Sequence, residues 1–147
     1  MKYTIRQMTE GEDEIILKYR ERTPEVERIL RFLDGGRETL IAWKEKTRMM
    51  LEPGQILYIE SVDGKTFAYT KEDVFRLNEP LNRLEEMLGD IRFFRCSKSM
   101  IVNIDQVECL RSLPSNRIDA TMNNGEHIMI SRTYASDFRK RLRGGTE

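Results

Sequence analysis

The chain has 147 residues, 39% hydrophobic and 34% charged, with a formal net charge of zero. That length supports one ordinary domain with a hydrophobic core and a short appendage, without disulfides or metals, and that composition excludes a disordered chain. No apolar run approaches the roughly 20 residues a membrane-spanning helix needs. The first six residues, Met1-Lys2-Tyr3-Thr4-Ile5-Arg6, hold no apolar signal core, so a cytoplasmic location is expected.

Residues 2–8 alternate, with Tyr3 and Ile5 on one face, and predict a strand. An acidic turn follows at Glu12-Asp13-Glu14. Residues 14–20 predict a second strand, with Ile15, Leu17 and Tyr19 on one face. Thr23-Pro24-Glu25 carries a cap, a first-turn proline and an acid for the positive helix end. Val26, Ile29, Leu30 and Leu33 then form an apolar stripe, and Gly35-Gly36 ends the helix. Residues 1–38 are therefore expected to be a strand-strand-helix extension, too small to fold alone.

From Thr39 the texture becomes β, and residues 39–147 are expected to form the main domain. Short strands are predicted over 39–43 and 47–51, around Lys44-Glu45-Lys46. A strand over 55–62 has a nearly continuous apolar centre, Ile56-Leu57-Tyr58-Ile59. Asp63-Gly64 is a hairpin turn into a strand over 65–70. Residues 74–77 predict another short strand. Asn78-Glu79-Pro80 opens a helix bearing Leu81, Leu84 and Leu88, closed at Gly89. Strands follow over 92–96, 100–102, 106–113, 117–122 and 126–130, with Asn123-Asn124-Gly125 turning between the last two. Ser131 caps a last helix carrying Ala135, Phe138 and Leu142. The fold class expected is mainly β with peripheral helices (α+β).

Nothing in the sequence builds an active site, so no enzyme is expected. His127 is the single histidine, which with Cys96 and Cys109 cannot make a four-ligand zinc site. The two cysteines suit reduced thiols. Gly35-Gly36 follows a helix, whereas a phosphate loop would open one. Glu85-Glu86 suits a solvated face. No metal and no cofactor is expected.

The zero net charge hides an uneven distribution. Residues 1–38 hold 8 Lys/Arg against 9 Asp/Glu, residues 39–90 hold 7 against 10, and residues 91–147 hold 10 against 6. The positive excess lies where a phosphate-facing surface would form. No helix-turn-helix, zinc finger or basic zipper is present. Polar and basic residues instead cluster where strands end, at Asp63-Gly64-Lys65-Thr66, Ser97-Lys98-Ser99 and Ser131-Arg132-Thr133. Loops of this kind on a rigid β scaffold reach base edges and phosphates. Each loop alone is also explained by ordinary surface polarity. The basic end of the last helix, Arg139-Lys140-Arg141, suits a helix C-terminus on dipolar grounds alone.

The segment Phe93-Phe94-Arg95-Cys96-Ser97-Lys98-Ser99-Met100-Ile101-Val102-Asn103 resembles the signature of the LytTR family: an aromatic and Arg, a basic residue and Ser, then two aliphatics and Asn. Ile56-Leu57-Tyr58-Ile59-Glu60-Ser61 resembles the family's early strand motif, and Asn124-Gly125-Glu126 with Ile130-Ser131-Arg132 its closing hairpin and helix start. The resemblance runs from Thr39 to Arg143. It implies LytTR-type stacked β-sheets and a bacterial transcriptional regulator that reads repeats in double-stranded promoter DNA through loops. Carried over residue by residue, the DNA-binding positions are Lys65, Thr66, Ser97, Lys98, Arg132 and Thr133. Thr66 and Lys98 stand where members often have His or Asn, so base preference does not carry over. Arg95 and Asn103 are expected to fix the loop between them.

In one branch of the family a cysteine at the place of Cys96 takes part in redox control, but here no second cysteine sits in the closing hairpin. The extension resembles that of stand-alone LytTR proteins, response-regulator-like but without a receiver domain. The resemblance implies a homodimer assisted by the extension, and a small membrane protein as a possible regulator. The alternative function is a protein-interaction module on the same scaffold without DNA-binding activity, for which the net-zero charge and acidic middle segment leave room.

Overall fold

The structure is a computed structural model that describes residues 1–33, 39–89 and 92–142. Ten strands and three α-helices follow one another: α1 (Pro24–Leu33), β1 (Leu40–Lys44), β2 (Thr47–Leu51), β3 (Tyr58–Val62), β4 (Lys65–Tyr69), β5 (Val74–Leu77), α2 (Leu81–Leu88), β6 (Phe93–Ser97), β7 (Met100–Asn103), β8 (Val107–Leu113), β9 (Arg117–Met122), β10 (His127–Ile130) and α3 (Arg132–Leu142). Seven strands form one sheet in the order β2-β1-β5-β4-β3-β7-β6, and three form another in the order β10-β9-β8. Every pairing is antiparallel. The mainly-β fold with peripheral helices is as the sequence predicts.

The apolar runs that do not alternate mark the middle layer. Ile56, Ile59, Phe93 and Ile101 face one core with Leu81 and Leu84 of α2. Leu57, Tyr58, Phe94, Cys96 and Val102 face a second core with Ile118, Ile128 and Ile130 of the small sheet and Phe138 of α3. Neighbouring residues point to opposite faces of a strand, so Phe93-Phe94 and Ile101-Val102 each serve both cores. A strand buried on both faces has no polar side to alternate with. Phe94 and Phe138 meet with ring centroids 5.3 Å apart, and the Arg141 guanidinium lies 5.4 Å from the Phe94 centroid.

Turn chemistry sets the hairpins. Asp63 (φ 50°) and Gly64 (φ 75°) both adopt left-handed backbone between β3 and β4, as a two-residue primed turn requires. Polar bonds then join the layers. The Tyr58 hydroxyl donates to the Glu126 carboxylate at 2.6 Å, linking the two sheets, and Tyr58 stacks on Tyr69 at 4.4 Å. Burial first, then the Glu126 carboxylate, pushes the Tyr58 phenol well above its usual range.

Two expectations need correction. Among residues 1–22 no strand forms. The alternation at 2–8 and 14–20 is present, but a strand needs a neighbour for its backbone N–H and C=O groups, and these segments find none within the chain. The expected helix end at Gly35-Gly36 lies outside the described residues. Asn103, expected to fix the loop at 97–99, holds a different one. It is fully buried. Its Nδ2 donates to the Ile56 carbonyl at 2.8 Å and its Oδ1 accepts from the Asp105 N–H at 3.0 Å.

Removing that amide strands a buried carbonyl and N–H and opens a small void. Asn103→Ala should lower the unfolding free energy by about 2–3 kcal/mol, read by urea denaturation. A loss below about 0.5 kcal/mol would show that the amide does not hold the two segments together.

Candidate nucleic-acid interface

The strand registers place two of the three polar loops at one end of the large sheet. Leu77 pairs with Thr66, Thr66 with Ser61, and Glu60 with Met100. The β3–β4 tip and the β6–β7 turn therefore rise beyond the same row. The β1–β2 turn at Glu45-Lys46 rises from the opposite end, since Trp43 pairs with Arg76 one row in the other direction. Two backbone hydrogen bonds join the loops side by side. The Ser61 N–H donates to the Ser99 carbonyl at 2.8 Å, and the Ser131 N–H donates to the Cys96 carbonyl at 2.9 Å. The second bond brings the start of α3 to the same rim.

Lys65, Lys98, Arg132 and Thr133 are exposed there. Among the described residues, Lys65, Lys98 and Arg132 have no ion-pair partner. Ser97 is half-buried, and its Oγ accepts the Ser99 N–H at 3.2 Å. Thr66 is 5% exposed and lies beneath the tip, so its side chain is not presented at the rim. Arg132 stands in the first turn of α3, where the helix dipole disfavours a cation and the free N–H groups favour an anion. A phosphate there would answer both.

Arg95 shapes the central loop. Its Nε donates to the Ser97 carbonyl at 2.7 Å and its Nη2 to the Lys98 carbonyl. Its Nη1 donates to Asn82 Oδ1 at 3.0 Å and to Glu85 Oε2 at 2.9 Å. A planar guanidinium with five donors is suited to such a fork. It ties the turn at Lys98-Ser99 to α2, as the signature's spacing suggests. Asn82 and Glu85 carry no sign of this in the sequence, because their meeting with Arg95 depends on how α2 packs.

Cys96 is buried, and its thiol is pushed up to about 12 by that burial. Cys109 is exposed on β8. Among the described residues no group of His, Cys, Asp and Glu could hold a metal. No described helix is long and apolar enough to cross a membrane.

A rim of three loops carrying unpaired cations, set on stacked antiparallel sheets, defines a β-scaffold protein equipped to grip an extended polyanion. The LytTr DNA-binding domain model matches residues 46–143, and the chain belongs to that family. It is 28% identical over 99 residues to the sensory transduction protein LytT of Bacillus cereus, covering 67% of this chain and 40% of that protein. It is 27% identical over 90 residues to the transcriptional regulatory protein LytR of Staphylococcus aureus, covering 61% and 37%. The chain thus matches less than half the length of these curated relatives. Among solved structures, the LytTr DNA-binding domain of a methyl-accepting/DNA response regulator from Bacillus cereus superposes with a TM-score of 0.69 at 27% identity, covering 73% of this chain and 98% of that one.

Two outcomes test the local geometry. Arg95→Lys keeps the charge but loses the fork, so amide exchange at Ser99 should quicken at least about tenfold while Ile101 exchanges as before. Equal exchange at Ser99 would mean that the turn holds itself. With iodoacetamide at pH 8, the folded protein should be alkylated at Cys109, with Cys96 more than about tenfold slower because it stays a protonated, buried thiol. Equal rates by mass spectrometry would contradict the burial of Cys96.

Proposed function

We propose that this chain is a transcriptional regulator that binds double-stranded promoter DNA in a sequence-specific manner, by binding alone and without catalysis, in the cytoplasm. The observation that carries this is the pair of backbone bonds, Ser61 to Ser99 and Ser131 to Cys96, that gathers three loops into one rim. Lys98 at the central turn and Arg132 at the start of α3 make the principal contacts with base edges or phosphates. Lys65 supports them, and Ser97 and Thr133 supply hydroxyls to the backbone. Thr66 acts from below by holding the base of its tip. The domain proper is residues 39–147, and residues 1–38 act as a dimerisation and regulatory unit. A homodimer suits repeated promoter elements, since two copies present two rims to two half-sites. The same extension is the part available to a small membrane-protein regulator.

In fluorescence polarisation with DNA selected from a random pool, Lys98→Ala and Arg132→Ala should each weaken binding by about 1–3 kcal/mol. Lys46→Ala, at the opposite end of the sheet, should change it little. Affinity should fall steeply with salt as phosphate counterions are released. Unchanged affinity in both rim variants would remove the loop assignment. A flat salt response, with a protein partner captured instead, would favour the interaction-module reading.

A further inference from the structure

Residues 1–22 expose an unusual amount of apolar surface: Tyr3 is 85% exposed, Ile5 86%, Ile15 74%, Ile16 67% and Tyr19 44%. Among the described residues, no backbone hydrogen bond involves residues 1–20. The segment therefore has the side-chain alternation of a strand and the unsatisfied backbone of a free edge. Its charges are also ordered. Glu12, Asp13 and Glu14 precede the apolar centre, and Lys18 and Arg20 follow it. None of these five has an ion-pair partner among the described residues.

An acid-apolar-base order is self-complementary when a strand meets its own copy in the antiparallel sense. A two-fold axis perpendicular to such a ribbon must pass through a residue that pairs with itself, because opposed side chains share a face. Centred on Ile16, the ribbon opposes Ile16 to Ile16, Glu14 to Lys18 and Glu12 to Arg20 on one face, and Ile15 to Leu17 on the other. Each unlike pair occurs twice. Moving the centre to Leu17 sets Asp13 against Glu21, and moving it to Ile15 sets Glu14 against Ile16 and Asp13 against Leu17. The charge pattern favours Ile16 over both.

We propose that residues 12–20 form an antiparallel strand pair with the same residues of a second copy, centred on Ile16, and that this pair is the dimer interface. The proposal rests on the dimeric-regulator reading above and specifies its contact. A two-stranded ribbon alone is marginal. Residues 2–8 alternate in the same way beyond the bend at Gly11 (φ 97°), and they flank the pair on each side to make four strands. The apolar face of that sheet then gathers Tyr3, Ile5, Ile15, Leu17 and Tyr19 from both copies.

The test is a charge exchange in the full chain, read by analytical ultracentrifugation. Glu14→Lys alone sets like charges together twice, and so does Lys18→Glu alone, so each should weaken self-association at least about tenfold. Mixing the two variants sets unlike charges at both contacts, so a heterodimer should form about as tightly as the wild-type homodimer. A monomeric wild type, single variants that dimerise normally, or a mixture that stays monomeric would each overturn the proposal. All these substitutions lie in an exposed segment outside both cores, and circular dichroism checks that the domain remains folded. Polarisation with DNA on the same samples keeps the two readings apart. A wild type that dimerises as described but binds no DNA would sink the regulator reading and leave this interface standing.

Discussion

Everything else in the molecule hangs on the double burial of the sheet where β3, β7 and β6 run side by side. On one face these strands meet α2, and on the other they meet the small sheet and α3. Burying a large aliphatic or aromatic side chain contributes about 1.5–3 kcal/mol, and here consecutive residues contribute to different cores. A slip of one residue in β6 would exchange Phe93 for Phe94 and disturb both cores at once. Register in the middle layer is therefore strongly determined. Because the strands end where their register dictates, the heights of the tips at Gly64 and Lys98 are determined too.

That constraint explains how loops serve as a reading surface. Loop residues ordinarily vary in position, and a contact that must meet a base edge tolerates little error. Here the central turn is held by three devices: the paired strands beneath it, the Arg95 fork onto the Ser97 and Lys98 carbonyls, and the Ser61 and Ser131 N–H groups bonded to its flanks. The ion pair from Arg95 to Glu85 also anchors the turn to α2. Lys98 is left with a fixed backbone and a free ammonium group. A fixed backbone spares the ordering entropy that a loose loop would spend on binding.

The sequence displays this middle layer openly and the edges poorly. Runs such as Ile56-Leu57-Tyr58-Ile59 and Phe93-Phe94 announce strands because few alternatives bury so much apolar surface in so few residues. Asp63-Gly64 announces its turn because little else tolerates two left-handed residues in succession. Lys98 and Arg132 are legible as candidates from their motif and their position at strand ends. Thr66 is misleading: it stands one residue from the tip, but alternation along β4 turns it inward. Asn103 and Arg95 look alike in the signature, yet they act on different segments, and only the packing of α2 and the chain path at Ile56 separate them. Residues 2–8 and 14–20 show the pattern of strands, but pattern gives a strand its faces and not its neighbour.

The zero net charge is compatible with a polyanionic partner because attraction is local at physiological salt. The screening length there is about 8 Å, so acids at the far end of the sheet do little to a phosphate at the rim. Acidic residues elsewhere are also largely neutralised at short range: Asp73 by Lys44 at 2.6 Å, Asp105 by Arg92 at 3.2 Å and Glu85 by Arg95 at 2.9 Å. Lys65, Lys98 and Arg132 are not consumed in this way. Unpaired cations at a rim lose only water and counterions when they meet DNA, whereas a paired cation must first give up its carboxylate. The arrangement of partners, more than the count of charges, therefore decides which surface of this nearly neutral chain can hold a nucleic acid.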